Sequence, residues 1–231
     1  MEPPPEAPGD PPLAGAGDAA GVAAVLAAAF QDDPVFSHCI PDPGARRERL
    51  PAVFTAFAEL FIPLGWSQLI PGEAAALWAP PDASPFAGDG LDAFAARMDA
   101  LLGDDAARFN HVGDVLSAHE PEAPHAYLQL IGVVPGRRGR GSGGRLLAAA
   151  LARCDAAGAP AYLEATAADS RRLYARHGFR VTRAIAVPGG PTLWGMWRDP
   201  RPAAAPSLPA RPGVRSAPTG THPACPPERS R

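Results

Sequence analysis

The sequence predicts an α/β protein built on a mixed sheet flanked by helices. Three observations point there. Apolar residues recur at helical spacing through the first third of the chain, give way to the unbroken apolar run AYLQLIGVV, and then alternate strand, helix, strand, helix before two closing strands. With 46% apolar and 19% charged residues in a chain of 231, there is enough apolar material for a real core. Proline marks the limits, since six of the 30 prolines fall in residues 1–12 and nine in 200–231. Proline without apolar periodicity cannot build a core, so both ends are expected to be disordered. The expected organisation is a Pro-rich tail over 1–12, one folded domain over 13–199 and a Pro/Ala/Arg-rich tail over 200–231.

In chain order, Asp18 is placed to cap a first amphipathic helix carrying Val22, Val25, Leu26 and Phe30, which stops at QDDP. VFSHCIPDPG reads as a short turn-rich segment. Leu50, Phe54, Phe57, Leu60 and Phe61 then define a second helix within RRERLPAVFTAFAELFIPLG, ended by Pro63 and Gly65. WSQLIPGEAAALWAPP reads as two short strands around a Pro-Gly turn. Residues 91–118 return to helical spacing, and Gly103 with two aspartates divides them into two short helices. From Ala126 the run apolar on both faces predicts a central buried strand. It leads into RRGRGSGG and an amphipathic helix over about 143–157 with Leu147, Leu151 and Cys154 on one stripe. Gly158 stops that helix, AYLEAT forms the next strand, SRRLYARH a short helix ended by Gly178, and FRVTRAIAV and TLWGMWRD a hairpin around PGGP.

Composition narrows the function classes. No run of about 18 apolar residues occurs and the N-terminal stretch has no basic residue before Arg46, so a soluble, cytoplasmic protein without a membrane partner is expected. Cys39, Cys154 and Cys225 are odd in number and widely spaced, which suggests neither a disulfide framework nor a zinc site. His38, His119, His125 and His177 lack metal-site spacing, so no metal is expected; His38 is kept as a substrate-side candidate. All 21 basic residues are arginine, which excludes any mechanism needing a lysine of the chain's own. The net charge of -3 conceals a split: residues 13–136 hold 5 Arg against 16 acids, whereas residues 137–183 hold 10 Arg against 3 acids. Two ligand surfaces of opposite sign fit this better than one nucleic-acid face.

RRGRGSGG admits several readings. An RNA-binding Arg-Gly tract should repeat within disordered sequence, and this is a single loop between a strand and a helix. A Walker loop needs a lysine. Gly139, Gly141 and Gly144 satisfy GxGxxG, but the strand-order signals of a doubly wound sheet are missing. What remains is the property such loops share: unpaired N–H groups at a helix start, which glycines leave open to a diphosphate, with Arg137, Arg138 and Arg140 adding charge. A Gly-rich helix start without a ligand is the alternative. Gly132, inside a strong strand, marks either a bulge that frees main-chain N–H groups or close packing under a helix.

The ordered segments LIGVVPGRRGRGSGGRLLAAAL, PAYLEAT and LYARHGF resemble the GNAT superfamily of acetyl-CoA-dependent N-acetyltransferases, most closely its puromycin N-acetyltransferase-like small-molecule branch. Arg138-Gly139-Arg140-Gly141-Ser142-Gly143 matches the family's (Gln/Arg)-x-x-Gly-x-(Gly/Ala) motif. The similarity is strong over residues 125–199 and weaker back to about residue 18, in AAAFQDDPVFSHCIPD and LWAPP. The resemblance implies a V-splayed central sheet with acetyl-CoA as cosubstrate in the splay, its pantetheine pairing with the strand at Ile131 and Val133. Its diphosphate would rest on the N–H groups of Gly139, Arg140, Gly141, Ser142, Gly143 and Gly144, beside Arg138. Tyr174 aligns with the family's general-acid tyrosine, and a phenol with a reference pKa of about 10 holds its proton at neutral pH; packing on a helix face is the other reading of this residue. Ser170 stands where the branch usually places a cofactor-touching Asn, and its hydroxyl can still hydrogen-bond with shorter reach. The family's first strand is reduced to PPLAGAGD, so a short or missing sheet edge is expected.

Acetyl transfer to an amine needs a neutral nucleophile, stabilisation of the oxyanion and a proton for the departing thiolate. Glu164, on a buried strand where an unpaired carboxylate is held toward its neutral form, is the candidate base, acting through water; a structural carboxylate is the alternative. The leading expectation is an N-acetyltransferase acting on a small cationic amine by direct attack in a ternary complex, as a monomer or homodimer. A GNAT-like acyl-CoA sensor or interaction module without efficient catalysis is the rival. Nucleic-acid binding through the Arg-rich segment would show steep salt dependence, and a pI of about 6.1 argues against it.

Overall fold

The computed structural model describes residues 9–86 and 88–202. The rest of the two expected tails, with Cys225, lies outside the described residues. The elements run α1 (Ala19–Ala29), α2 (Pro34–Cys39), α3 (Pro43–Phe61), β1 (Gln68–Ile70), β2 (Ala74–Ala79), α4 (Gly90–Leu102), α5 (Ala106–Ser117), β3 (Ala126–Val133), α6 (Ser142–Ala156), β4 (Ala161–Ala165), α7 (Ala168–Arg176), β5 (Arg180–Ala186) and β6 (Thr192–Arg198). One six-stranded mixed sheet has the order β1-β2-β3-β4-β6-β5. Two apolar layers cover it. Leu26, Phe54, Phe57 and Met98 of α1, α3 and α4 pack on one face, and Leu146, Leu147, Leu151 and Tyr174 of α6 and α7 pack on the other. All six residues of β2 are buried because helices cover both of its faces.

The sheet opens at its centre. β3 and β4 run parallel but pair only at Ala126↔Ala161 and Tyr127↔Tyr162, although β3 continues to Val133. Beyond Tyr127 the two strands diverge, as expected of a V-splayed sheet. The Val134 N–H donates to Glu73 O on the β2 side (2.9 Å). Main-chain direction alternates along a strand, so Ile131 and Val133 turn their N–H and C=O groups toward the opening.

Several local expectations change. VFSHC is the helix α2 rather than a turn, started by Pro34 at its first position and by the Asp33 carboxylate accepting from Val35 N (2.9 Å) and Phe36 N (3.4 Å). Helix α3 begins earlier than expected, capped by Asp42 through Ala45 N (2.7 Å), and continues through Pro51. The Arg46 guanidinium donates to the carbonyls of Gln31, Ile40 and Pro41, which fixes the α1–α2–α3 corner. The first strand is reduced to one bridge, Leu13↔Gln68, beside which Leu69 N donates to Pro12 O (3.3 Å). At the far end Arg198 forks onto Asp155 with two 2.8 Å bonds and ties β6 to the end of α6.

β3 is not apolar on both faces in effect, because burial alternates along it from Ala126 to Val133. The bulge that Gly132 could have marked lies instead at Gln129. Neighbouring Leu77 and Trp78 on β2 pair with Leu130 and Leu128, which leaves Gln129 unopposed. The bulge reverses the facing of the strand. Ala126 and Leu128 pack in the α6 layer, while Leu130 joins the α1 layer and Ile131 and Val133 pack against the α6 layer. Gly132 is explained by packing: a Cβ there would sit 2.7 Å from Ala29 Cβ and 3.1 Å from Leu26 Cδ2. Gly132→Ala should lower stability by about 1–3 kcal/mol through overpacking against α1, measured by chemical denaturation.

Candidate active site

A continuous cleft of about 1600 Å³ runs from the 137–144 loop, across the opened edge of β3, to α4 and α5. At its donor end the chain turns through Gly139 (φ 78°) and Gly141 (φ 90°), left-handed conformations that other residues adopt only with strain. Gly141 is the N-cap of the 15-residue helix α6, and no side chain caps that end. The first helical bond is Arg145 N to Gly141 O (3.0 Å), so the N–H groups of Ser142, Gly143 and Gly144 precede the intrahelical ladder. Outward N–H groups, the positive helix end and two glycines without side chains form a cradle that fits a diphosphate. The outward main chain of Ile131 and Val133 continues it along the splay, as an amide-bearing extended ligand requires.

The side chains of this end behave less uniformly. Arg138 lines the cleft, but its guanidinium donates to Ala29 O (2.8 Å) and Val133 O (3.3 Å), joining the end of α1 to β3. Arg140 is exposed and does not line the cleft, whereas Arg137 does. Ser142 is buried and its hydroxyl donates to the Glu73 carboxylate, bracing the helix start against the β1–β2 turn. Ser170 also lines the cleft; its Oγ donates to Ala167 O (2.8 Å) and accepts from Ala167 N (3.2 Å), so it caps its own helix.

Deeper in, Glu164 on β4 faces the cleft and accepts a 2.8 Å hydrogen bond from the Tyr127 hydroxyl of β3. Burial pushes its carboxyl up to about 7, while the hydrogen bond from Tyr127 pulls the other way. Tyr127 is raised well above its ordinary value by burial and by the adjacent carboxylate. Tyr174, on α7, lines the same cleft, and its ring packs edge-on against Phe179 with centroids 6.1 Å apart. Burial, with the charge of Asp33 behind it, raises its hydroxyl above the ordinary tyrosine value, so it stays protonated at neutral pH. Asp33 bridges this region: besides capping α2 it accepts from the Thr166 hydroxyl (2.6 Å), and burial raises its carboxyl.

The other end of the cleft is acidic and aromatic. Asp92 of α4, Asp114 of α5, and Glu120 and Glu122 after α5 line it together with Phe86 and Phe109. His125 lines the cleft as well, with Nδ1 2.7 Å from Ala123 O, whereas His38 does not line it. Cys39 and Cys154 are buried free thiols. No cluster able to hold a metal is found among the described residues, and no helix among them is long and apolar enough to cross a membrane.

The structure therefore gathers Tyr174, Glu164, Ile131, Val133, Arg138, Gly139, Gly141, Ser142, Gly143, Gly144 and Ser170 along one cleft, and leaves Arg140 outside. The sequence reading missed Tyr127, Glu73 and Asp33. Only Asp33 carried a local signal, the Asp-Pro helix start within QDDP.

The opened central sheet and the glycine-lined helix start lie along the same cleft. Residues 100–179 match the model of the acetyltransferase (GNAT) family. Among solved structures the chain is similar to a Corynebacterium glutamicum protein described as histone acetyltransferase HPA2 and related acetyltransferase. The two share 28% identity over 86% of this chain and 98% of that one, with a TM-score of 0.57. The fold is shared with the polyamine N-acetyltransferase of Drosophila melanogaster, an enzyme that forms N-acetylagmatine (19% identity, 81% and 97% of the two chains, TM-score 0.55). It is shared also with arylalkylamine N-acetyltransferase 2 of Aedes aegypti (13% identity, 81% and 97%, TM-score 0.55).

Proposed function

We propose that the chain transfers acetyl from acetyl-CoA to the primary amine of a small cationic molecule, by direct attack in a ternary complex. The observation that carries this reading is the continuity of one cleft, with a diphosphate cradle at one end and four carboxylates of the α4–α5 region at the other. Acetyl-CoA supplies the activated acetyl group. The chain's own residues do the rest: the α6 start and the outward main chain of Ile131 and Val133 orient the donor, and Glu164 takes a proton from the ammonium through water. Tyr174 holds a proton for the departing thiolate. The acidic wall concentrates cations and disfavours anions, by an attraction that salt weakens. Family neighbours include enzymes named for agmatine, polyamine and arylalkylamine acetylation, which supports an amine acceptor.

Purified full-length protein should acetylate cationic amines in preference to amines carrying a carboxylate, with KM rising as salt is added. Preference for anionic amines would overturn the charge argument, and acetyl-CoA binding without turnover of any amine would leave a sensor.

A further inference from the structure

We infer that Tyr127 is a positioning residue for Glu164, holding its carboxylate in the cleft and keeping it competent to accept a proton. This rests on the reading of Glu164 as the base. The Tyr127 hydroxyl donates to Glu164 Oε2 at 2.8 Å across the only stretch where β3 and β4 still pair, immediately before the sheet opens. Tyr127 and Tyr162 are partners in that pairing, and their rings stack with centroids 6.1 Å apart and planes 20° from parallel. His125 closes the group, edge-on to Tyr162 at 5.3 Å and to Tyr127 at 6.3 Å. The tyrosine is thus held from both sides, and its one polar atom is aimed at the carboxylate.

The effect has a definite sign. A phenol that donates to the ionised carboxylate favours that form, whereas burial opposes it. The other titratable and charged groups around Glu164 do not replace Tyr127. Tyr162, two residues before it on β4, has a buried hydroxyl that makes no hydrogen bond among the described residues, Glu120 repels its charge, and Arg183 lies on β5 beyond Gly195. The bulge at Gln129 brings Tyr127 to this side, because without it Tyr127 would share the facing of Ile131 and Val133.

The test compares the pH dependence of kcat, at saturating acetyl-CoA and a saturating cationic amine, for the parent, Tyr127→Phe and Glu164→Gln. Tyr127→Phe keeps the stacked ring and removes only the hydroxyl. Its acidic limb should move up by about one pH unit, the size of one hydrogen bond to a charged group, with acetyl-CoA affinity unchanged. Glu164→Gln should remove the limb. If Glu164→Gln removes the limb and Tyr127→Phe leaves it in place, Tyr127 does not position the base and the inference fails while the base assignment stands. If Glu164→Gln leaves the limb intact, the base assignment fails and the inference with it. Thermal melts of both variants separate these outcomes from misfolding.

Discussion

Tyr174→Phe should lower kcat by about a hundredfold while leaving the dissociation constant for acetyl-CoA nearly unchanged. The ring of Tyr174 belongs to the buried α6–α7 layer and meets Phe179 edge-on, and phenylalanine preserves both contacts. Only the hydroxyl is lost, so the stability cost should be small and the kinetic cost large. Burial holds that hydroxyl above its ordinary range, and the parent should therefore show no alkaline fall in kcat from Tyr174 through pH 9. Steady-state kinetics combined with calorimetric titration of the cofactor provide the check. Unchanged kcat would make Tyr174 a packing residue and assign the proton to another group.

Glu164→Gln should have the second large effect, a fall in kcat of about a hundredfold at pH 8. It should also change stability with a sign opposite to that of an ordinary ion-paired carboxylate. The Glu164 carboxyl is raised from 4.5 to about 7 in the folded chain. The folded state thus binds the extra proton, and its contribution is fully present below about pH 4.5 and lost as pH rises toward 7. Ionising Glu164 in place costs on the order of 3 kcal/mol. Glutamine has no such cost, so Glu164→Gln should gain stability relative to the parent between pH 5 and pH 8, which melting temperatures at the two pH values would show. A parent and variant that melt in parallel across that range would remove the buried-carboxyl argument.

What could be read from the sequence was what local physics decides. The strand within 126–134, the glycine loop, the helix behind it and the strand bearing Glu164 each follow from spacing and composition within about ten residues, and each lies where expected. The interactions that complete the site cross the fold. Tyr127 reaches Glu164 over 37 residues, Asp33 reaches Thr166 over 133, and Arg138 reaches Ala29 over 109. Arg138 shows the difference most directly. Its position in the loop suggested charge for a phosphate, yet two carbonyls brought close by α1 and the end of β3 occupy its guanidinium. Gly132 was ambiguous for the same reason, since only the placement of Ala29 and Leu26 decides between a bulge and a contact.

The unopposed Gln129 makes β3 a two-sided part. Tyr127 and Ile131 are an even number of positions apart, and in an uninterrupted strand they would look the same way. One extra residue between them divides the labour, so that the stretch after it presents its edge to the donor and the stretch before it serves the base. Removing that single residue would leave every side chain of the site in the sequence and still disconnect the tyrosine from the carboxylate. The pairing of donor seat and base is thus encoded in the length of a strand.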